Sequence, residues 1–70
     1  MLLKQLKYFI SIVEKENFTE AAEENYISQS AISQQIQSLE NELGYKLLNR
    51  EKRTFTLTSA GKYIYHQSKI

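Results

Sequence analysis

Cysteine, proline and tryptophan are absent from this 70-residue chain, glycine occurs twice (Gly44, Gly61) and histidine once (His66). Without cysteine there can be no disulfide, zinc–thiolate site or iron–sulfur cluster. A lone histidine cannot make a histidine-pair metal site, and no cofactor is expected. The scarcity of proline and glycine argues against a loop-rich or linker-like chain. No apolar run exceeds three residues, so no segment is suited to cross a bilayer as a helix. The N-terminus carries no signal-peptide hydrophobic stretch, which sets an expectation of a cytoplasmic protein. What is left is one small domain, mostly helical, able to bury about 60% of its extended surface around a single core.

Charge is nearly balanced in total, at +1, but not along the chain. Residues 1–45 hold three bases and seven acids, a net of −4, whereas residues 46–70 hold six bases and Glu51 alone, a net of +5. Residues 25–39 (NYISQSAISQQIQSL) carry no charge at all. A basic end is a hint of a polyanionic partner. The neutral stretch could equally be an ordinary helix.

Helical spacing begins with Leu6, Phe9, Ile10 and Val13, an i, i+3, i+4, i+7 stripe opposed by Lys4, Lys7, Ser11 and Glu14. The pattern breaks at Glu16-Asn17. A short second helix is predicted over Thr19–Glu24 with Thr19 as its cap, and small Ala21 and Ala22 allow another helix to approach. Asn25 is the expected left-handed residue of the turn, with Tyr26 and Ile27 directed to the core. A third helix starts at the Ser28 cap and ends at Gly44. Its apolar residues Ile32, Ile36, Leu39 and Leu43 fall within about 60° of arc. The opposite arc holds Ser30, Ser33, Gln34, Gln37 and Asn41. The runs 45–50 and 54–57 then alternate apolar and polar residues around a charged tip, predicting a β-hairpin. Thr58 caps a last helix whose apolar side is Ala60, Tyr63, Ile64 and Ile70.

Catalysis fails at the level of inventory. His66 has no recognisable partner, and neither Glu23–Glu24 nor Glu40–Glu42 has the i, i+3 or i+4 spacing that puts two carboxylates on one helical face. Phosphate-cradling glycine motifs are missing. A neutral Ser/Gln face at the start of a helix that follows a tight turn suits another task. The major groove of DNA admits one helix, and its base edges are read by short donors and acceptors of this kind. Basic residues on a hairpin, here Lys52 and Arg53, stand where phosphates would be met. Order and composition together favour a winged helix–turn–helix. A winged helix whose Ser/Gln face docks a protein is the alternative reading. Binding that falls with salt and discriminates sequence separates the two.

The stretches LKQLKYF (3–9), NFTEAAE (17–23), SQSAISQQIQSLENELGYKLLNR (28–50) and LTSAGK (57–62) resemble the N-terminal DNA-binding domain of LysR-type bacterial transcription regulators. The resemblance covers nearly the whole chain. It implies a three-helix core with a β-hairpin wing (residues 1–58) and the start of a linker helix (59–70) that pairs two subunits. It places recognition-helix positions (28–43) on Gln29, Ser30, Ser33 and Gln34, with Gln37 one turn on. The wing (50–54) carries the strand-end Arg50 and the minor-groove Arg53, and backbone contacts fall around Thr19 and Ser28. The paired surface would be Tyr63, Ile64, Gln67 and Ile70. The implied partners are double-stranded DNA, as an interrupted inverted repeat, and a second copy of the chain. A small-molecule effector would act only through a domain that these residues do not include. Glutamine favours adenine and no arginine lies on the recognition face, so A·T-biased half-sites are expected. The sequence departs from the family pattern at Ser30 (usually proline), Gln34 (often arginine), Glu20 (often basic), Leu48 (often phenylalanine) and Ser59 (often glutamate).

Overall fold

The computed structural model describes residues 3–50 and 54–68. Four helices and one hairpin follow one another as α1 (Leu3–Lys15), α2 (Phe18–Glu24), α3 (Gln29–Leu43), β1 (Leu48–Arg50), β2 (Phe55–Leu57) and α4 (Ser59–Ser68). This is a mostly α, winged helix–turn–helix architecture.

Helix α1 touches α2, α3 and α4, so its buried face is wider than a single stripe. Phe9 and Ile12 are fully buried, with Tyr8, Gln5 and Ser11 beside them, whereas Leu6 and Val13 only border the core. The centre of the face is therefore turned from the predicted Leu6–Phe9–Ile10–Val13 line, and Ser11, expected in solvent, is inside. Ser11 is tolerated there because its hydroxyl donates to Glu24 Oε1 (2.8 Å) and accepts from Asn25 Nδ2 (3.0 Å).

Asn17, not Thr19, caps α2: its Oδ1 accepts the N–H of Glu20 at 2.9 Å, and the helix starts one residue earlier than expected. The left-handed residue after α2 is Tyr26 (φ 58), not Asn25 (φ −98). The hydrogen bonds explain the one-residue difference. Ile27 N–H donates to Ala22 O and Tyr26 N–H to Glu23 O, the paired bonds of a Schellman ending, in which Asn25 is the cap and the residue after it must turn left-handed. That geometry throws the Tyr26 ring outward, so it is 95% exposed and not in the core as its apolar character suggested. Ile27 does pack on the core.

Ser28 caps α3 through its Oγ to Ala31 N–H (3.1 Å), and Gly44 closes it at φ 85, as expected. Ile32, Ile36 and Leu39 are fully buried and meet Ala21 and Ala22 of α2, whose small side chains let the two helices close up. In the hairpin, Leu48 pairs with Leu57, Asn49 with Thr56 and Arg50 with Phe55. The first strand is shorter than the predicted run. Tyr45 is half exposed, Leu47 and Leu48 are both buried in succession, and Asn49 and Arg50 are both exposed, so β1 shows none of the expected alternation of burial. The cause is Glu40, a buried carboxylate whose Oε2 accepts the N–H of Leu47 (2.8 Å) and of Leu48 (3.1 Å). Thr58 caps α4 as expected: its hydroxyl accepts Gly61 N–H (2.9 Å) and donates to Lys46 O (2.7 Å). Ile64 and Tyr65 turn back onto the core, while Tyr63 is 64% exposed.

Candidate nucleic-acid interface

The N-terminal half of α3 projects between α2 and the wing. Its buried seam faces the core, which leaves Gln29, Ser30, Gln34 and Gln37 exposed and Ser33 half-buried on the outer arc. Gln35 does not belong to this arc, because its Oε1 accepts from Gln5 Nε2 of α1 at 3.1 Å. Ser28 is exposed, but its hydroxyl oxygen already caps the helix. Thr19 reaches across from α2 and its hydroxyl donates to Gln29 Oε1 at 3.1 Å. The two residues expected at backbone and base are thus joined in the free domain.

Arg50 leaves the end of β1 and returns to α3, where Nη1 donates to Ser33 Oγ at 2.7 Å. Its guanidinium lies 5.0 Å from the centroid of the Phe18 ring, and Phe18 meets Phe55 edge-on at 5.5 Å. A guanidinium held over an aromatic face keeps its charge while losing little freedom. Phe18, which packs against the edge of the core, is in addition the platform that sets this arginine against α3. Gln34 and Gln37 make no side-chain hydrogen bond among the described residues, so both amides are open to a partner. Chemically the arc offers amide and hydroxyl donors and acceptors, flanked by a fixed cation and carrying no charge of its own.

Lys52 and Arg53 fall outside the described residues, as does Ile70. Of the surface expected to pair two copies, Tyr63 and Gln67 face outward but Ile64 is half-buried against its own core. The apolar side of α4 is therefore split, and Ile64→Glu would disturb folding rather than pairing alone. The sequence reading missed Glu40. Its one available signal is angular: position 40 lies about 70° from the middle of the apolar seam of α3, at the edge of the buried arc.

Among the described residues no helix is long and apolar enough to cross a membrane. No three His, Cys, Asp or Glu side chains among them converge to hold a metal ion.

Residues 3–62 match the family model described as bacterial regulatory helix-turn-helix protein, lysR family. Over 65 residues the chain is 49% identical to the nitrogen assimilation regulatory protein nac of Klebsiella aerogenes and 45% identical to the HTH-type transcriptional regulator BenM of Acinetobacter baylyi. Each alignment takes in 93% of this chain and 21% of the relative, so the chain spans about a fifth of those proteins. Among solved structures, a CbnR DBD–DNA complex superposes with a TM-score of 0.92 at 40% identity, covering 99% of this chain and 79% of that one. A BenM DBD complex with catB site 1 DNA gives 0.92 at 42% identity, covering 99% and 77%. A LysR-family transcriptional regulator from Eggerthella lenta matches over the full length of both chains, with a TM-score of 0.90 at 33% identity. The outer arc of α3, the wing and 60 consecutive matched positions lead to one conclusion: the chain belongs to the lysR family of bacterial regulatory helix-turn-helix proteins, a family of regulators and not of enzymes.

Proposed function

We propose that this domain binds double-stranded DNA sequence-specifically in bacterial transcription regulation, with α3 in the major groove and the wing, residues 50–54, on the adjoining backbone and minor groove. The observation that carries the reading is the uncharged arc of amides and hydroxyls on α3 with Arg50 bonded to its centre at Ser33. Two structural neighbours were solved with DNA, and that supports the reading. In this proposal Gln29, Ser33 and Gln34 read base edges, Ser30 and Gln37 flank them, and Thr19 and Ser28 meet the backbone. Lys52 and Arg53, the basic residues of the segment joining β1 and β2 in the sequence, hold the neighbouring phosphates and minor groove. The target is an interrupted inverted repeat with A·T-biased half-sites, since glutamine suits adenine and no arginine lies on the arc. Two copies pair through α4, by way of outward-facing Tyr63 and Gln67, with Ile64 supporting from beneath and Ile70 assigned to the same pairing surface. The domain works in the cytoplasm, where its DNA is, and response to a small molecule resides outside these 70 residues.

Selection of bound duplexes from a random pool, followed by titration of the selected and a scrambled duplex across a salt series, tests the reading. Affinity should fall steeply with salt on both and be higher on the selected one. Gln34→Ala should relax preference at one base position, worth about 1–3 kcal/mol. Equal weakening on both duplexes would remove Gln34 from base reading, and a wild-type domain that binds neither would overturn the proposal.

A further inference from the structure

An open cleft of about 450 Å³ runs between the C-terminal half of α3 and β1, lined by Gln37, Glu40, Lys46, Leu48, Asn49 and Arg50. Nothing in the resemblance assigns Lys46 or Asn49 a role. Both are exposed, and they line the cleft together with Gln37. Glu40 forms the floor at 5% exposure, with its Oε2 covered by the N–H groups of Leu47 and Leu48. Glu40 keeps its negative charge at the floor, so the two cations of the lining, Lys46 and Arg50, leave the cleft net positive by one, and Gln37 and Asn49 add amide donors. One lysine point charge, one guanidinium and two amide N–H groups in a concave setting are suited to a phosphate diester.

The position of the cleft selects its occupant. This step rests on the proposed placement of α3 in a major groove and the wing in the adjoining minor groove. Adjacent grooves of a duplex are separated by one phosphodiester strand. That strand has to pass between the element in one groove and the element in the other, which here is the space between α3 and β1. Arg50, already bonded to Ser33, marks its near end. Lys46, at the start of the segment leading into β1, marks its far end.

We propose that this cleft is a backbone seat, in which Lys46, Asn49 and Gln37 hold a phosphate of the strand that separates the two grooves. The seat fixes how far α3 slides along the duplex and carries no base preference of its own. It adds to the bound face a cation, Lys46, that precedes β1.

Lys46→Gln and Asn49→Ala test the seat, because both side chains are exposed and the Lys46 carbonyl bonded by Thr58 is unchanged. Each variant is titrated against the selected and the scrambled duplex over a salt series, with melting temperature as a control on folding. Lys46→Gln should weaken both duplexes by the same factor, about three- to tenfold at low salt, and reduce the salt slope by about one. Replacing phosphates of the selected duplex one at a time by methylphosphonate should reveal a single position that weakens the wild type and leaves Lys46→Gln unaffected. Wild-type affinity and salt slope in Lys46→Gln overturn the seat while leaving the proposed function standing. A loss confined to the selected duplex also overturns it, since that would make Lys46 a base reader. A wild-type domain that binds no duplex overturns the underlying placement together with the seat.

Discussion

The joint between α1 and α2 and the joint between α3, the wing and α4 are both polar, and they are built from different parts. At the first, side chains bond to side chains at the edge of solvent: Ser11 to Glu24, Asn25 to Ser11, and Lys15 to Glu24 at 3.4 Å. At the second, nearly every bond ends on backbone. Glu40 takes the N–H of Leu47 and Leu48, Thr58 N–H donates to Leu47 O, the Thr58 hydroxyl donates to Lys46 O, and Gly61 lies against the Leu47 carbonyl. A side-chain joint can lose one bond and let water replace it. A buried backbone joint cannot, because an orphaned buried N–H has nowhere else to turn. The first should therefore fail gradually and the second abruptly.

Substitution at Glu40 should break the comparison most visibly. Glu40→Ala leaves two buried N–H groups without an acceptor, at a cost of about 2–4 kcal/mol. In a domain this small that is a large part of total stability, and the thermal midpoint should drop by about 10–20 °C. Glu40→Gln keeps a carbonyl acceptor and should lose less than half as much. Equal losses from the two variants, measured by thermal or urea unfolding, would mean that charge rather than acceptance holds the joint.

Gly61→Ala probes the same joint from α4. A helix interior ordinarily favours alanine over glycine by about 1 kcal/mol. Here the added Cβ would run into the Leu47 carbonyl oxygen, and Leu57 also lies close. Overpacking costs about 1–3 kcal/mol, and the obstacle is backbone, so the net effect should be destabilising. A gain in stability would show that α4 can slide away from the wing.

Ser11→Ala attacks the other joint and should cost only about 0.5–1.5 kcal/mol, as one modest hydrogen-bond centre is lost. Asn25 keeps its bond to Ala21 O and Glu24 keeps Lys15. The same variant sharpens the pH dependence. The Ser11 hydroxyl is the main reason that the Glu24 carboxyl lies below its ordinary value; partial desolvation opposes it and Lys15 adds to it. A carboxylate with a depressed folded pKa contributes stability that is present above its unfolded pKa and lost as pH falls through the folded one. Wild-type stability should therefore decline more than that of Ser11→Ala as the pH falls through and below the ordinary carboxylate range. Parallel acid limbs would detach Glu24 from Ser11. This is the smallest effect of the set.

The same contrast separates what could be read along the chain from what could not. Ile32, Ile36 and Leu39 announce α3 because three apolar residues at helical spacing need one common cover, and Ser28 and Gly44 bound it by local chemistry alone. The exposed arc was legible as the complement of that seam, and so was the hairpin, from its change of period. Polar residues that act inward gave no such signal. Ser11 and Glu40 look like surface residues until the groups they satisfy, thirteen and seven positions away, are brought beside them. Asn17 and Thr19 are both competent caps, and only the path of the chain out of α1 through left-handed Glu16 decides between them. Arg50 could be marked as basic, but its seat on Phe18 joins residues 32 apart, across two elements.

The left-handed Tyr26 has an optical consequence. The chain contains no tryptophan, and Tyr26 carries its ring into solvent at the turn just ahead of α3. Tryptophan has the same Cβ constraint at positive φ as tyrosine, so Tyr26→Trp adds no new backbone strain and disturbs no packing. The variant would carry a single indole emitter, fully hydrated and red-shifted in the free domain. Excited beyond the tyrosine absorption band, the indole would report whatever covers the helix–turn–helix corner, with Tyr8 and Tyr65 of the core left dark.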